Sequence, residues 1–159
     1  MTHTVTVRPA TNDTSRDRNF YGWAMDQGRA LREGRLADLD RVLLAEAIED
    51  MGRAEKRELT NRLAVLLAHL LKWAAQPDRR GRSWSATIEE QRDQARLILR
   101  DNPSLRPVLP EVLDDAYHLG TRSAVRESEL PVAAFPAACP WTLEQAMDEA
   151  FWPEPFEPG

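Results

Sequence analysis

The chain has 159 residues, of which 42% are hydrophobic and 30% charged, with a net charge of −5, a composition typical of an ordinary globular domain with a core. No apolar run approaches the roughly 18 residues that a membrane span requires, and residues 1–19 lack the apolar stretch of a signal peptide. The single cysteine, Cys139, excludes an internal disulfide, so we expect a cytoplasmic protein with no membrane partner.

The first predicted helix follows a polar segment that is rich in threonine. Residues 1–14 show no helical period and are predicted to form a flexible arm. Ser15 or Asp17 is the candidate N-terminal cap of the helix, and Gly34 is its stop. A period near 3.6 predicts an apolar face made of Phe20, Trp23, Ala24, Gln27 and Leu31.

The longest predicted helix runs from about residue 38 to residue 76, without a proline. Residues spaced three or four positions apart form one stripe along this segment, and all of them but one are apolar. This pattern predicts a continuous helix of about 36 residues. The stripe consists of Leu44, Ile48, Met51, Glu55, Leu59, Leu63, Leu66, Leu70 and Trp73. Glu55 is the exception, and Gly52 beside it costs about 1 kcal/mol relative to alanine. Either the helix bends near Gly52, or Glu55 faces a partner or a polar pocket.

Proline and glycine separate two further helices from the long one. Pro77 ends the long helix, because proline disfavours the α conformation in the residue before it, and Gly81 indicates a turn. The next helix begins at Ser83 or Ser85. Another follows the segment "DNPS", with Pro110 as a candidate first regular residue.

A short helix and an irregular tail complete the chain. The helix that starts near Pro110 is predicted to end at about Glu127, and a loop with three prolines follows it. Thr142 and Gln145 have the spacing of a capping box, which predicts the short helix. The sequence after Trp152 is rich in proline and is predicted to be extended.

These elements predict an all-α, single-domain helical bundle. Its main helices, one of them long and central, are expected to pack near-antiparallel, as in other bundles with short connections. The predicted organisation is an arm at residues 1–14, a helical domain at residues 15–152 and an extended tail at residues 153–159.

The order of the motifs resembles that of a known family. The segments "FYGWAMDQGRALREGRLADLD", "LAEAIEDMGRAEKREL", "HLLKWAAQPDRRGRSWSATIEEQR" and "CPWTLEQAMDE" carry the resemblance, which runs from about Asp17 to Pro153. On these residues the chain resembles the bacterial family known as domain of unknown function twenty-nine. The resemblance implies an all-helical single domain with no assigned biochemical role, and it provides no catalytic residue to transfer.

One turn concentrates basic and aromatic side chains, and we call residues 72–84 the basic corner. Its cations are Lys72, Arg79, Arg80 and Arg82, and its tryptophans are Trp73 and Trp84. Arginine can bind a phosphate through paired hydrogen bonds and tryptophan can stack on a base, so this corner is a candidate surface for a nucleic acid or another phosphate. However, both tryptophans continue the stripes of the flanking helices, which predicts that they point inward.

Charge is distributed unevenly along the chain. Residues 72–106 carry 8 basic and 5 acidic side chains, whereas residues 107–159 carry 2 basic and 10 acidic ones. We therefore expect some arginines of the basic corner to form ion pairs with carboxylates of the same chain, from Glu111–Asp115 or Asp148–Glu149.

The sequence offers an incomplete set of metal ligands. Di-iron helical bundles use two Glu-x-x-His pairs, and the chain has only one comparable pair, Asp115 and His118. His69 and Glu55 form a candidate polar site near the core, although about 21 Å of helix separates them. The alternative prediction is that His69 packs its ring and hydrogen-bonds to a carbonyl or carboxylate group. We predict neither a metal nor another cofactor.

The sequence favours a non-enzymatic interaction or regulatory module. The basic corner, the acidic C-terminal third and two apolar tail residues, Trp152 and Phe156, are surfaces suited to a protein partner or to self-association. The tail could instead pack back on the body. Weak nucleic-acid or phosphate binding through the basic corner is the first alternative function, and a metal-dependent enzyme is the second.

Overall fold

The computed structural model describes residue 16 and residues 18–157, and the regular structure of these residues is entirely helical. The α-helices in this part of the chain are α1 (Phe20–Arg32), α2 (Arg41–Ala75), α3 (Arg82–Asp101), α4 (Leu109–Ser128) and α5 (Leu143–Met147). Short 3-10 helices lie at Leu36–Asp38, Pro77–Arg79, Pro103–Val108 and Val132–Ala134. The predicted all-α class is confirmed. None of the described helices is both long enough and apolar enough to cross a bilayer.

The chain forms two compact units, which divide between Asp50 and Met51. We call the described residues up to Asp50 the N-terminal unit, and those from Met51 onward the C-terminal unit. The predicted arm, residues 1–14, and the candidate caps Ser15 and Asp17 lie outside the described residues.

The N-terminal unit is an antiparallel helical hairpin. Asn19 caps α1, with its side chain accepting a hydrogen bond from the Gly22 amide at 3.1 Å, and Gly34 ends the turn with a φ of 67°. At the other end the Gln27 side chain accepts a hydrogen bond from the Asp40 amide at 2.8 Å. Because Arg16 meets Glu46 at 2.8 Å, the start of α1 lies beside a later part of α2, so the two helices run antiparallel.

The core of the C-terminal unit lies between α2, α3 and α4. Its buried side chains include Leu59, Leu63, Leu66, Leu67, Leu70, Leu71, Ile88, Ala95, Leu99, Val112, Ala116, Tyr117, Ala124, Phe135 and Ala146. Two ion pairs, Lys56–Glu111 at 2.6 Å and Lys72–Glu127 at 2.5 Å, show that α2 and α4 run parallel. Helix α3 runs antiparallel to α2, because Asn102 at its end meets Glu55 of α2.

The prediction of one continuous long helix is confirmed, but the apolar stripe that predicted it is exposed in much of its first half. Ile48 is 65% exposed and Met51 is 72% exposed, and the stripe is buried only from Leu59 onward. Glu55 is exposed too, where it accepts a hydrogen bond from Asn102 at 3.3 Å. Within the C-terminal unit, the end of α3 meets α2 at Glu55 and the start of α4 meets it at Lys56. The buried part of the stripe begins one turn later, at Leu59. The helix continues without a break through Gly52.

Of two helix starts predicted from capping residues, one is confirmed and one is wrong. The capping box of Thr142 and Gln145 is confirmed at the start of α5. The predicted serine cap of α3 is wrong, because that helix begins at Arg82, after an extended Gly81 without a side-chain cap.

Candidate functional site

Arg80 of the basic corner binds backbone carbonyl groups of the protein itself. Its Nε donates a hydrogen bond to the carbonyl oxygen of Trp73 at 2.8 Å, and a second nitrogen donates to that of Pro153 at 3.4 Å. Its guanidinium also lies 5.2 Å from the centroid of the Trp73 ring. Arg80 therefore holds the end of α2 to residues 148–157, which we call the C-terminal segment.

The C-terminal segment packs on the basic corner through aromatic rings. The rings of Trp73 and Trp152 lie 4.7 Å apart between centroids. The Phe156 amide donates a hydrogen bond to the carbonyl oxygen of Ala74 at 3.1 Å. Trp73, Trp152 and Phe156 all pack against the hydrophobic core. The prediction that Trp73 points inward is confirmed, and the two apolar tail residues pack back on the body.

A buried arginine on α3, which the sequence analysis did not identify, anchors the same segment. Arg92 is 0% exposed, and it donates hydrogen bonds to the carbonyl oxygens of Ala146 at 2.8 Å and Phe151 at 2.7 Å. Its guanidinium lies 5.4 Å from the ring centroid of Trp152. Burial holds the pKa of Arg92 below its usual value, partly offset by Asp148 and other nearby carboxylates.

Lys72 does not belong to an exposed basic surface. Its side chain is 5% exposed, its Nζ lies 2.5 Å from the Glu127 carboxylate, and it covers the half-buried ring of Trp84 at 5.1 Å from the centroid. Burial by itself raises the pKa of Glu127, but the hydrogen bond and charge of Lys72 outweigh this effect, and the pKa lies below its usual value. The expectation of a four-cation surface is thus corrected, because Lys72 is neutralised inside the bundle.

Arg79 and Arg82 are the exposed cations of the basic corner. Within the described residues, neither they nor Arg80 forms an ion pair with a carboxylate, so the predicted pairing with the acidic C-terminal third is wrong. Cations outside the basic corner pair with carboxylates of the predicted acidic segments: Lys56 pairs with Glu111, and Arg96 lies 3.2 Å from Glu149. The exposed charges of the basic corner are therefore these two arginines and Asp78.

His69 and Glu55 do not form a shared polar site. The Nδ1 atom of His69 lies 2.9 Å from the carbonyl oxygen of Val65, four residues earlier on α2, as the alternative prediction for His69 required. Burial lowers the pKa of His69, and the positive charge of Lys72 lowers it further. Glu55, in contrast, is exposed at the beginning of the C-terminal unit.

A cavity of about 580 Å³ lies between α4 and the loop at residues 132–139, with Tyr117 and Cys139 in its lining. Tyr117 donates a hydrogen bond to the carbonyl oxygen of Pro136 at 2.5 Å, and Cys139 donates to that of Trp141 at 3.2 Å. Burial raises the pKa of the Cys139 thiol, so the thiolate is disfavoured at neutral pH. Nowhere in the described residues do three or more His, Cys, Asp or Glu side chains cluster as metal ligands.

The N-terminal unit exposes large apolar side chains, among them Phe20 and Leu31, which the helical period placed on the same apolar face as the buried Trp23 and Gln27. Helix α1 buries Trp23, Gln27 and Ala30. It leaves Phe20 55%, Tyr21 77%, Met25 48% and Leu31 50% exposed. With the exposed Ala45 and Ile48 of α2 and the half-buried Ala24 and Gly28 of α1, Phe20, Tyr21 and Leu31 form the set that we call the apolar face. A second apolar stripe on α1 was the available signal, because Phe20, Ala24, Gly28 and Leu31 are spaced by four, four and three residues.

Comparisons with known proteins identify the family of the chain and leave its activity open. No curated protein and no solved structure gives a significant match. The family model for "Domain of unknown function DUF29" matches residues 16–152, which include all five described α-helices. The chain therefore belongs to the DUF29 family.

Proposed function

We propose that this protein is a non-enzymatic interaction module of the bacterial cytoplasm, and that its docking surface is the apolar face of the N-terminal hairpin. The observation that carries the proposal is the exposure of Tyr21 and Ile48, at 77% and 65%, beside other exposed apolar side chains of the described hairpin. A contiguous exposed apolar patch is a common mark of a protein-binding site.

On one side of the hairpin lie Phe20 and Leu31 of α1 together with Ile48 of α2, and the exposed Arg41 shares this side. Met25, two positions after the buried Trp23, points away from α2. Each residue of a helix is rotated about the helix axis by about 100° from the one before it. On this basis Phe20 and Leu31 are rotated away from the buried positions of α1 in one direction. Ile48 is rotated away from the half-buried Leu44 of α2 in the same direction. When two helices pack antiparallel, residues that are rotated in the same direction from the line of contact lie on the same side of the pair. The opposite side is charged and carries Asp26, Arg29, Glu33, Glu46 and Asp50.

The basic corner gives less support to nucleic-acid or phosphate binding. Lys72 is paired inside the bundle and Arg80 binds backbone carbonyl groups, which leaves Arg79 and Arg82 for a ligand. Two phosphate contacts provide only weak binding that salt readily abolishes. The tryptophans of the corner contact Trp152 and Lys72, so their faces are already engaged.

Site-specific photo-crosslinking tests the proposed docking surface. Benzoylphenylalanine replaces Tyr21 or Ile48 on the apolar face, and Asp26 or Glu33 on the charged side as matched controls. In native host cells we expect discrete crosslinked products from the two apolar positions and none from the controls. Equal yields from all four positions, or no product from any of them, would contradict the proposal.

A titration with labelled DNA and RNA tests the alternative function. Binding that weakens strongly when Arg79→Ala and Arg82→Ala are combined would favour the basic corner. We expect the double variant to bind as poorly as the wild-type chain at two salt concentrations.

A further inference from the structure

We infer that the apolar face binds a second copy of this chain, so that two hairpins pack face to face as an antiparallel four-helix arrangement. The inference rests on the proposed docking function and names its partner. It concerns only the N-terminal unit, and three properties of that unit support it.

The exposed apolar area is sufficient for a specific dimer. Taking roughly 200 Å² for a fully exposed large side chain, the exposed fractions of four large residues correspond to about 500 Å² per copy. Two copies would then bury on the order of 1,000 Å², the lower limit for a specific protein interface, before any small or polar residue is counted. The four residues are Phe20, Tyr21, Leu31 and Ile48.

The centre of the apolar face is shaped for close helix contact. Ala24 and Gly28 lie between the larger residues of α1, one turn apart. A Cβ atom added to Gly28 would have no heavy atom within 4 Å, so the space above this glycine is open. Small residues flanked by large ones let a second helix approach, because side chains of one helix fit into the grooves of the other.

The apolar face suits a closed two-fold dimer. A two-fold axis parallel to the helices places α1 of one copy over α2 of the other, so that neighbouring helices of the two copies run antiparallel. Each copy then presents the same face to its partner, as a closed dimer requires.

Analytical ultracentrifugation of the full chain tests the inference. We expect a dimer of twice the 18.1 kDa chain mass, and a dissociation constant raised on the order of 100-fold when Tyr21→Glu and Ile48→Glu are combined. Gly28→Leu is a second test that keeps the face apolar. It should preserve or raise helicity but block dimerisation, because the new side chain fills the open space. Asp26→Ala with Glu33→Ala is the matched control and should leave the dimer unchanged.

The outcomes separate this inference from the proposed function. A wild-type chain that stays monomeric up to about 100 µM, where contacts of micromolar affinity would be populated, overturns the second copy as partner. If Tyr21 and Ile48 then crosslink to another protein, the docking surface still stands. If their products are internal and map to residues 1–15, that segment covers the face, and the dimer is again overturned. A dimer that survives both Gly28→Leu and the double glutamate variant would also overturn the inference.

Discussion

Arg92 donates a hydrogen bond to the carbonyl oxygen of Phe151 at 2.7 Å, across 59 residues of sequence and from a side chain with no solvent exposure. The same guanidinium binds the carbonyl oxygen of Ala146. The end of the chain is thus fixed to α3 by a buried cation that satisfies backbone acceptors, and not by a helix of its own.

Replacing Arg92 should release this segment. Arg92→Ala leaves two buried carbonyl groups without donors and removes the cation beside Trp152, so we expect the free energy of unfolding to fall by about 3 kcal/mol. Urea denaturation measures the loss, and near-UV circular dichroism reports the tryptophan environment. Arg96→Ala is the control, since Arg96 is 48% exposed and pairs with Asp93 at the surface, and it should cost less than about 1 kcal/mol. Equal losses for the two variants would show that the buried hydrogen bonds are not what matters.

Gly120 sets the distance between α2 and α4. A Cβ atom at this position would lie 2.8 Å from the carbonyl oxygen of Ala64, a backbone atom that cannot rotate away. Gly120→Ala should therefore destabilise the protein by about 1–3 kcal/mol, although alanine is the better helix former. Gly52→Ala is the matched control, because nothing lies within 4 Å of its added Cβ, and it should stabilise the protein by up to about 1 kcal/mol. Thermal unfolding of both variants gives the two signs, and a stabilising Gly120→Ala would refute the close approach.

Stability should fall with acid in two separate pH ranges. Burial lowers the pKa of His69 below its ordinary value of 6.5, so the unfolded chain binds this proton more readily and stability decreases as pH falls below about 6.5. The pKa of Glu127 also lies below its ordinary value of 4.5, despite the opposing effect of burial, because of Lys72. Its contribution is present above pH 4.5 and is lost as pH falls through the lower folded value.

Two single variants separate these ranges. His69→Gln should flatten the stability profile just below pH 6.5, and Glu127→Gln should flatten it below pH 4.5. Denaturant titrations at half-unit intervals of pH measure both profiles. If His69→Gln leaves the upper range unchanged, another group is responsible for it.

Arginines of the basic corner should differ sharply in their contribution to stability. Arg80→Ala removes hydrogen bonds to Trp73 and Pro153 and a cation above an indole ring, so we expect a loss of about 1–2 kcal/mol. Arg79→Ala removes an exposed side chain and should change stability by less than about 0.5 kcal/mol. Urea denaturation curves of the two variants measure their free energies of unfolding. If Arg80→Ala is as stable as Arg79→Ala, the tail is held by its aromatic residues alone.

Local residues in the sequence were sufficient to predict where most helices begin and end. The positive φ of Gly34 and the capping box at Thr142 and Gln145 depend on a few neighbours, so the sequence encodes them directly. A stripe of apolar residues is weaker information, because it shows that side chains share a face but not that another element covers it. Leu59 and Ile48 occupy the same stripe of α2, yet only Leu59 is buried.

The roles of the basic residues could not be predicted from local patterns. Arg92 follows Glu89 and Glu90 in a helix of high polarity, which is the usual sequence of a solvated face. Its burial depends on carbonyl groups 54 and 59 residues away. Lys72 likewise becomes an internal cation only because α4 runs parallel to α2 and brings Glu127 to it.

Because of where the tryptophans lie, their fluorescence can report on the two units separately. Of its five tryptophans, Trp23 alone lies in the N-terminal unit, where its ring is 7% exposed. The other four lie in the C-terminal unit, and Trp73 and Trp152 are close enough for their excited states to couple. Emission from a Trp23→Phe chain therefore comes from the C-terminal unit only, and the difference from the wild-type spectrum isolates the hairpin. Loss of order in either unit can be followed separately, without attaching a dye.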